Sequence, residues 1–238
     1  MKLDILAIAA HPDDAELSCS GTLLKHIAAG KKCGIIDLTQ GELGTRGSAK
    51  LRAIETAKAT KIMKLSIREN LKMEDGFFLH DKKNQLHIIQ QIRLFQPEIV
   101  LCNAVQDRHP DHGRAAVLVS EACYYSGLMK IETKHNNKLQ KAWRPKAVYH
   151  YIQDRNMKPD FVIDVSPFVG KKMQAINAYS SQFYDPNSKE PESPISQKDF
   201  LDFVKSKMKV WGRDAGFKYA EGFTVERSIG IKDLFSLI

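Results

Sequence analysis

The chain has 238 residues, 43% of them hydrophobic and 27% charged. These are globular proportions, and they exclude a collagen-like, mucin-like or wholly disordered chain. Lys and Arg number 36 against 28 Asp and Glu, a formal charge of +8, but no single arm gathers the positive charge, which argues against a nucleic-acid partner.

Leu3 to Ala10 is an apolar run of strand length. It is short and broken by Asp4, so it reads as a buried first strand and not as a signal peptide. Asp13 and Asp14 stand where a helix N-cap is expected, Leu17, Leu24 and Ala28 repeat at helical spacing, and Gly30 ends that helix. Gly34 to Leu38 reads as a second strand, followed by a loop with Gly41, Gly44 and Gly47. Leu51, Ile54, Ala57 and Ile62 mark a helix, and Leu86, Ile89, Ile92 and Phe95 another, closed by Pro97. Glu98 to Cys102 is a buried-type strand; a polar turn leads into a helix from about Gly113 to Ser126. Lys130 to Lys146 is the densest basic stretch, read as a solvated loop face or as a modest field for a small anionic substrate.

Ala147 to Ile152 and Phe161 to Val165 read as later strands, and Ser166-Pro167 opens a helix carrying Phe168, Met173, Ile176 and Tyr179. Asp185 to Lys198 holds three of the nine prolines and is either a surface loop or a lid. Ser196 to Asp199 resembles a capping box with Asp in place of Glu. Phe200, Val204, Met208 and Trp211 follow as an apolar stripe. Strands alternating with helices predict an α/β fold: a mostly parallel sheet covered on both faces, in one domain spanning 1–238. No apolar run approaches the ~20 residues of a spanning helix, so no membrane partner is expected. Cys19, Cys33, Cys102 and Cys123 form no C-x-x-C pair. They are expected to be reduced and buried, with the cytoplasm as the compartment.

In open α/β sheets ligands bind beyond the carboxyl ends of the strands. Two turns at such ends hold the densest acid and histidine clusters, Ala10-His11-Pro12-Asp13-Asp14-Ala15-Glu16 and Asp107-Arg108-His109-Pro110-Asp111-His112. The first lacks G-x-G-x-x-G, and carboxylates are the wrong charge for a pyrophosphate. They suit a cation. His11, Asp14 and His112 make a three-ligand set with an open position, as in catalytic zinc sites, although the same residue types also serve as turn formers and helix caps. Asp13, beside a ligand, could take a proton from the attacking water. His109, held charged by Asp111, could stabilise an oxyanion or donate to a leaving amine. The constellation reads as metal-assisted hydrolysis of an amide or ester.

These residues resemble the motifs of the zinc-dependent N-acetylglucosaminyl deacetylases, the PIG-L/LmbE-like family. The likeness runs in order through Ala10 to Glu16, Thr39 to Gly47, Arg52 to Glu55, Met73 to Gly76, His109 to His112 and Tyr219 to Phe223. It implies a Rossmann-like three-layer sandwich and one Zn2+ per chain on His11, Asp14 and His112. It further implies Asp13 as general base, with His109 and Asp111 as its catalytic partners. Arg52 and Asp75 match positions that hold sugar hydroxyls, and Glu42 lies in the matching glycine-rich loop as a further candidate for substrate binding. The phrase Asp107 to His112 is most similar to the bacillithiol-biosynthesis branch, which deacetylates N-acetylglucosaminyl malate. That substrate makes Arg108 and Arg144 candidates for its carboxylates. Phe200 stands where relatives place a tyrosine, and the family suggests a homo-oligomer, trimer or hexamer. A His/His/Asp site also accepts iron or cobalt. The competing readings are deacetylation of another amino-sugar, such as a chitooligosaccharide or antibiotic precursor, and a non-catalytic metal- or polyanion-binding protein.

Overall fold

The strand β1 (Ile5–Ala9) is buried along its whole length, as a continuous apolar run in a parallel sheet must be. The computed structural model describes residues 1–237. Six further strands share its sheet: β2 (Cys33–Thr39), β3 (Ile67–Met73), β4 (Ile99–Cys102), β7 (Ala147–Tyr151), β8 (Phe161–Asp164) and β9 (Ala220–Val225). A separate hairpin pairs β5 (Lys134–His135) with β6 (Lys138–Leu139). The sheet order is β3-β2-β1-β4-β7-β9-β8. The five strands from β3 to β7 are parallel, and β9 runs antiparallel to both its neighbours.

The helices are α1 (Asp14–Ser18), α2 (Ser20–Ala28), α3 (Ala49–Met63), α4 (Lys82–Phe95), α5 (Pro110–Tyr125), α6 (Val169–Asn177) and α7 (Phe200–Asp214). Alternate residues of β1 feed two cores. Leu6 and Ile8 pack with Ile88 and Ile92 of α4 and Leu118 and Val119 of α5. Ile5, Ala7 and Ala9 pack with Leu23 of α2, Met63 of α3 and Ala175 of α6. This is the expected α/β sandwich with helices on both faces. The order places the topological switch between β1 and β4, so the loops leaving those two strands open side by side, where such sheets bind ligands.

Several local expectations are corrected. The first helix is two, broken at Cys19 (φ −134°). The break frees the first amides of α2, and Gly21 and Thr22 N donate to the Glu221 carboxylate at 2.8 and 2.7 Å. The strands β3 and β9 were not anticipated. β3 is a half-buried edge strand interrupted by Arg68, Glu69 and Asn70, and β9 carries Glu221 and Gly222 within it. The capping box at α7 does not form, because the Ser196 hydroxyl accepts from Ser193 N (2.8 Å). All four cysteines are buried and unbridged. Among the described residues no helix is long and apolar enough to cross a membrane.

Candidate active site

The loops after β1 and β4 are pinned to each other before any ligand is considered. Ala10 N donates to Asn103 Oδ1 (2.9 Å), and Asn103 Nδ2 donates to Asp14 Oδ2 (3.0 Å) and to Gln153 Oε1 (2.9 Å). Gln153 Nε2 donates to Asp14 Oδ1 (3.0 Å), and His11 N to Asp14 Oδ2 (3.0 Å). Asp13 adopts φ +105°, a region costly for any residue with a Cβ and a recurrent feature of functional turns. The sharp turn lets neighbouring carboxylates, Asp13 and Asp14, both reach one cavity.

His11, His109 and His112 meet there, with nitrogens within 4.8 Å of one another. His11 Nε2 lies 3.0 Å from Asp75 Oδ1 and 3.2 Å from Asp111 Oδ2, while its Nδ1 faces Asp14 Oδ2 at 3.5 Å. His112 places Nδ1 2.5 Å from Asp107 Oδ2 and Nε2 3.2 Å from Asp14 Oδ1. Each ring thus gives one nitrogen to a carboxylate behind it and turns the other toward Asp14. Burial opposes a positive charge on either ring, yet the surrounding carboxylates prevail. The His11 pKa is held well above its ordinary value by Asp111, Asp14 and Asp75, and that of His112 is lifted to about 9 by Asp14 and Asp107. Burial likewise opposes the Asp14 charge, but His112 and His11 keep it ionised. The electrostatics are those of a pocket that favours a cation.

Asp13 makes none of these contacts with the imidazoles. Burial pushes its carboxyl up, and Arg52 pulls it back only in part. Arg52 Nη2 lies 3.4 Å from Asp13 Oδ2 and also bonds Gln182 Oε1. His109 caps α5, its Nδ1 accepting from Asp111 N at 3.2 Å. Burial and the two neighbouring imidazoles lower its pKa. Because its Nδ1 accepts that hydrogen bond, Nε2 is the ring nitrogen left to carry a proton.

The other expected residues are distributed unevenly. The Asp111 carboxylate does not hold His109. It is taken by Arg114 Nη1 (2.6 Å), Gly76 N (2.9 Å) and His11. Asp75 borders the cavity, and its oxygens face His11 Nε2 (3.0 Å) and accept from Leu43 N (2.9 Å). Glu42 accepts from Asp75 N and Gln40 N and does not line the cavity. Arg108 lines the cavity with its Nε bonded to Asp154. Arg144 lies elsewhere, 4.3 Å over the Tyr124 ring in a different surface groove. Phe200 borders the cavity and stacks on Phe183. From the segment 185–198, Ser193, Pro194 and Ile195 form part of the wall, and Glu190 accepts from Gly47 N (2.9 Å). Asp107, Asn103, Gln153 and Gln182 were missed; the first lies inside the second cluster, and the others carry no local signal. The cavity holds about 480 Å³, the size of a small-molecule site.

The conserved protein TT1542 of Thermus thermophilus is 31% identical, with a TM-score of 0.87 and 98% of each chain covered. Residues 6–123 match the model of the family PIG-L, described as GlcNAc-PI de-N-acetylase. The chain belongs to the PIG-L family. Among the relatives of this PIG-L chain, the diacetylchitobiose deacetylase of Thermococcus kodakarensis is 25% identical over 228 residues, 92% of this chain and 81% of the relative. The 4-carboxy-2-hydroxymuconate hydratase GalB of Pseudomonas putida shares the fold at TM-score 0.78 and 22% identity, covering 98% of this chain and 100% of its own. A hydratase on the same fold means that the activity of this PIG-L chain must be argued from its site.

Proposed function

We propose that this chain is a metal-dependent hydrolase that removes the N-acetyl group from an N-acetylglucosaminide. The observation that carries the reading is the arrangement of His11 and His112. Each has a carboxylate behind one nitrogen and Asp14 before the other. Carboxylate–histidine pairs of this kind fix the ring and raise its basicity toward a metal. Two imidazole nitrogens and a carboxylate oxygen suit zinc, one ion per chain, with a position open. Bound there, the ion would polarise the acetyl carbonyl and make the attacking water more acidic.

The chain's own groups supply the remaining steps. Asp13, buried at the cavity and outside the ligand set, accepts the proton of the attacking water and returns it to the departing sugar amine, releasing acetate. Arg52 holds that carboxylate in place. The His109 Nε2 proton faces the cavity as a donor to the carbonyl oxygen as charge develops on it, the role of an oxyanion-hole group. Asp75 and Asp111 serve by orienting His11.

The narrower reading takes N-acetylglucosaminyl malate as substrate, supported by Arg108 at the cavity wall. The kinship to a diacetylchitobiose deacetylase favours a second reading, a chitooligosaccharide. A cytoplasmic homo-oligomer is part of the first. Metal analysis, paired with acetate release from N-acetylglucosaminyl malate, diacetylchitobiose and free N-acetylglucosamine, tests both. Bound metal with release from at least one substrate is expected, and the preferred glycoside chooses between the readings. A metal-loaded protein that releases no acetate yet binds nucleic acid in a salt-sensitive way would overturn them in favour of a polyanion binder.

A further inference from the structure

One wall of the cavity has no part in the deacetylation chemistry. It is a single face of α7, on which Phe200, Phe203, Val204, Lys207, Met208 and Trp211 recur at helical spacing and border the cavity. Five of the six are apolar; the sixth is a lysine. The Lys207 ammonium lies 5.2 Å from the Phe203 ring centroid and 5.4 Å from that of Trp211. Among the described residues no carboxylate comes within 4.0 Å of it, whereas Arg108, which borders the cavity from the loop before α5, is engaged by Asp154. Burial lowers the Lys207 pKa to about 8, with Asp154 and Asp107 opposing only in part.

The two rings attract the half-buried ammonium only weakly, and an anion in the cavity would supply the charged partner that the surrounding side chains do not. We propose that Lys207 selects the substrate by its aglycone, accepting a carboxylate there while Phe203 and Trp211 cover the carbon stem. This rests on the reading of the chain as an N-acetylglucosaminide deacetylase and assigns the specificity of that site to α7. It also separates two groups of substrates. A chitooligosaccharide brings no anion to Lys207 and leaves the ammonium unpaired.

The test compares two glycosides of N-acetylglucosamine that differ only in charge, the carboxymethyl and the carbamoylmethyl glycoside, with acetate release as readout. Wild type is expected to favour the carboxylate by ~10–100-fold in kcat/KM, the range of one charge-assisted hydrogen bond, carried mainly by KM. Added salt should shrink the preference. Lys207→Met should bring the ratio toward one, and Lys207→Arg should keep most of it, which guards against misfolding as the cause. A wild-type ratio near one, or a ratio preserved in K207M, overturns the assignment and leaves the deacetylase reading standing. Release from neither glycoside by metal-loaded wild type overturns both.

Discussion

His112 turns Nδ1 onto Asp107, 2.5 Å away, and thereby presents Nε2 to Asp14. Asp107 also accepts from Arg155 N (2.7 Å), so the carboxylate is fixed independently of the ring. Removing it frees the imidazole to rotate or to carry its proton on the wrong nitrogen. Asp107→Ala should weaken metal binding by roughly 10–100-fold, as loss of an orienting carboxylate does. Titration of the apo-protein with Zn2+ in competition with a chelator measures this; unchanged affinity would remove Asp107 from the site.

Asp13 is expected to behave in the opposite way. Its carboxylate bonds Arg52 and not the imidazoles, so Asp13→Asn should keep the metal and lose turnover, by about 10²–10⁴-fold for a positioned general base. Metal content and single-turnover acetate release are measured on the same sample. Wild-type turnover in this variant would take Asp13 out of the mechanism.

The clusters around His11 and His112 were legible because they sit at the ends of strands whose apolar runs are plain, and because strand ends are where such sheets bind. The orientation of each ring was not. Asp111 stands two residues from His109 in sequence, yet its carboxylate turns to Arg114, since the helix geometry of α5 brings residues three apart together, and to His11 of the neighbouring loop. Arg144 reads as a free loop cation, but its guanidinium is used locally, donating to Tyr124 O (3.0 Å). β3 escaped notice for a related reason. Arg68 looks like a solvent residue, and it is buried only because Glu16 and Asp37, on α1 and β2, meet it there.

Gly41 and Arg52 offer a structural route to Asp13. Gly41 has φ +65°, and a Cβ there would stand 2.0 Å from Arg52 Nη1. Gly41→Ala carries the strain of a side chain at positive φ, ~1–2 kcal/mol, and must also displace the guanidinium. The expected result is a lowered melting temperature together with a fall in kcat, and Arg52→Ala is expected to show the same fall. A variant with full activity would mean that the Arg52–Asp13 contact is dispensable.

Lys172 and Glu221 form an ion pair at 2.7 Å with both side chains almost fully buried. Lys172 Nζ also donates to Leu17 O (2.8 Å), while Glu221 caps α2. The pair thus ties α6, α1, α2 and β9 together below the cavity. Lys172→Met leaves a buried carboxylate without its cation and should cost about 3–5 kcal/mol. Adding Glu221→Gln to it should recover part of that loss. Urea unfolding of the single and double variants measures both, and a single variant as stable as wild type would show that the pair contributes nothing.

Asp37 gives stability a distinct dependence on pH. It accepts from Arg68 Nε (2.9 Å) and Nη2 (2.8 Å), but burial outweighs these bonds and raises its pKa from 3.8 to about 6. A carboxyl with a folded pKa above its unfolded value binds its proton more tightly in the native state. Between pH 3.8 and about 6 the native chain therefore carries more protons at this position, and its contribution to stability falls as pH rises through that window. The change is at most roughly 3 kcal/mol. Asp75, Asp107 and Asp111 titrate with the opposite sign and Asp13 with the same one, so the comparison is made against Asp37→Asn, which lacks only this group. The difference in unfolding free energy, wild type minus variant, should decline from about pH 4 to about pH 6 in urea titrations. A difference independent of pH would place the Asp37 pKa at its ordinary value and assign Arg68 to holding a permanently ionised carboxylate.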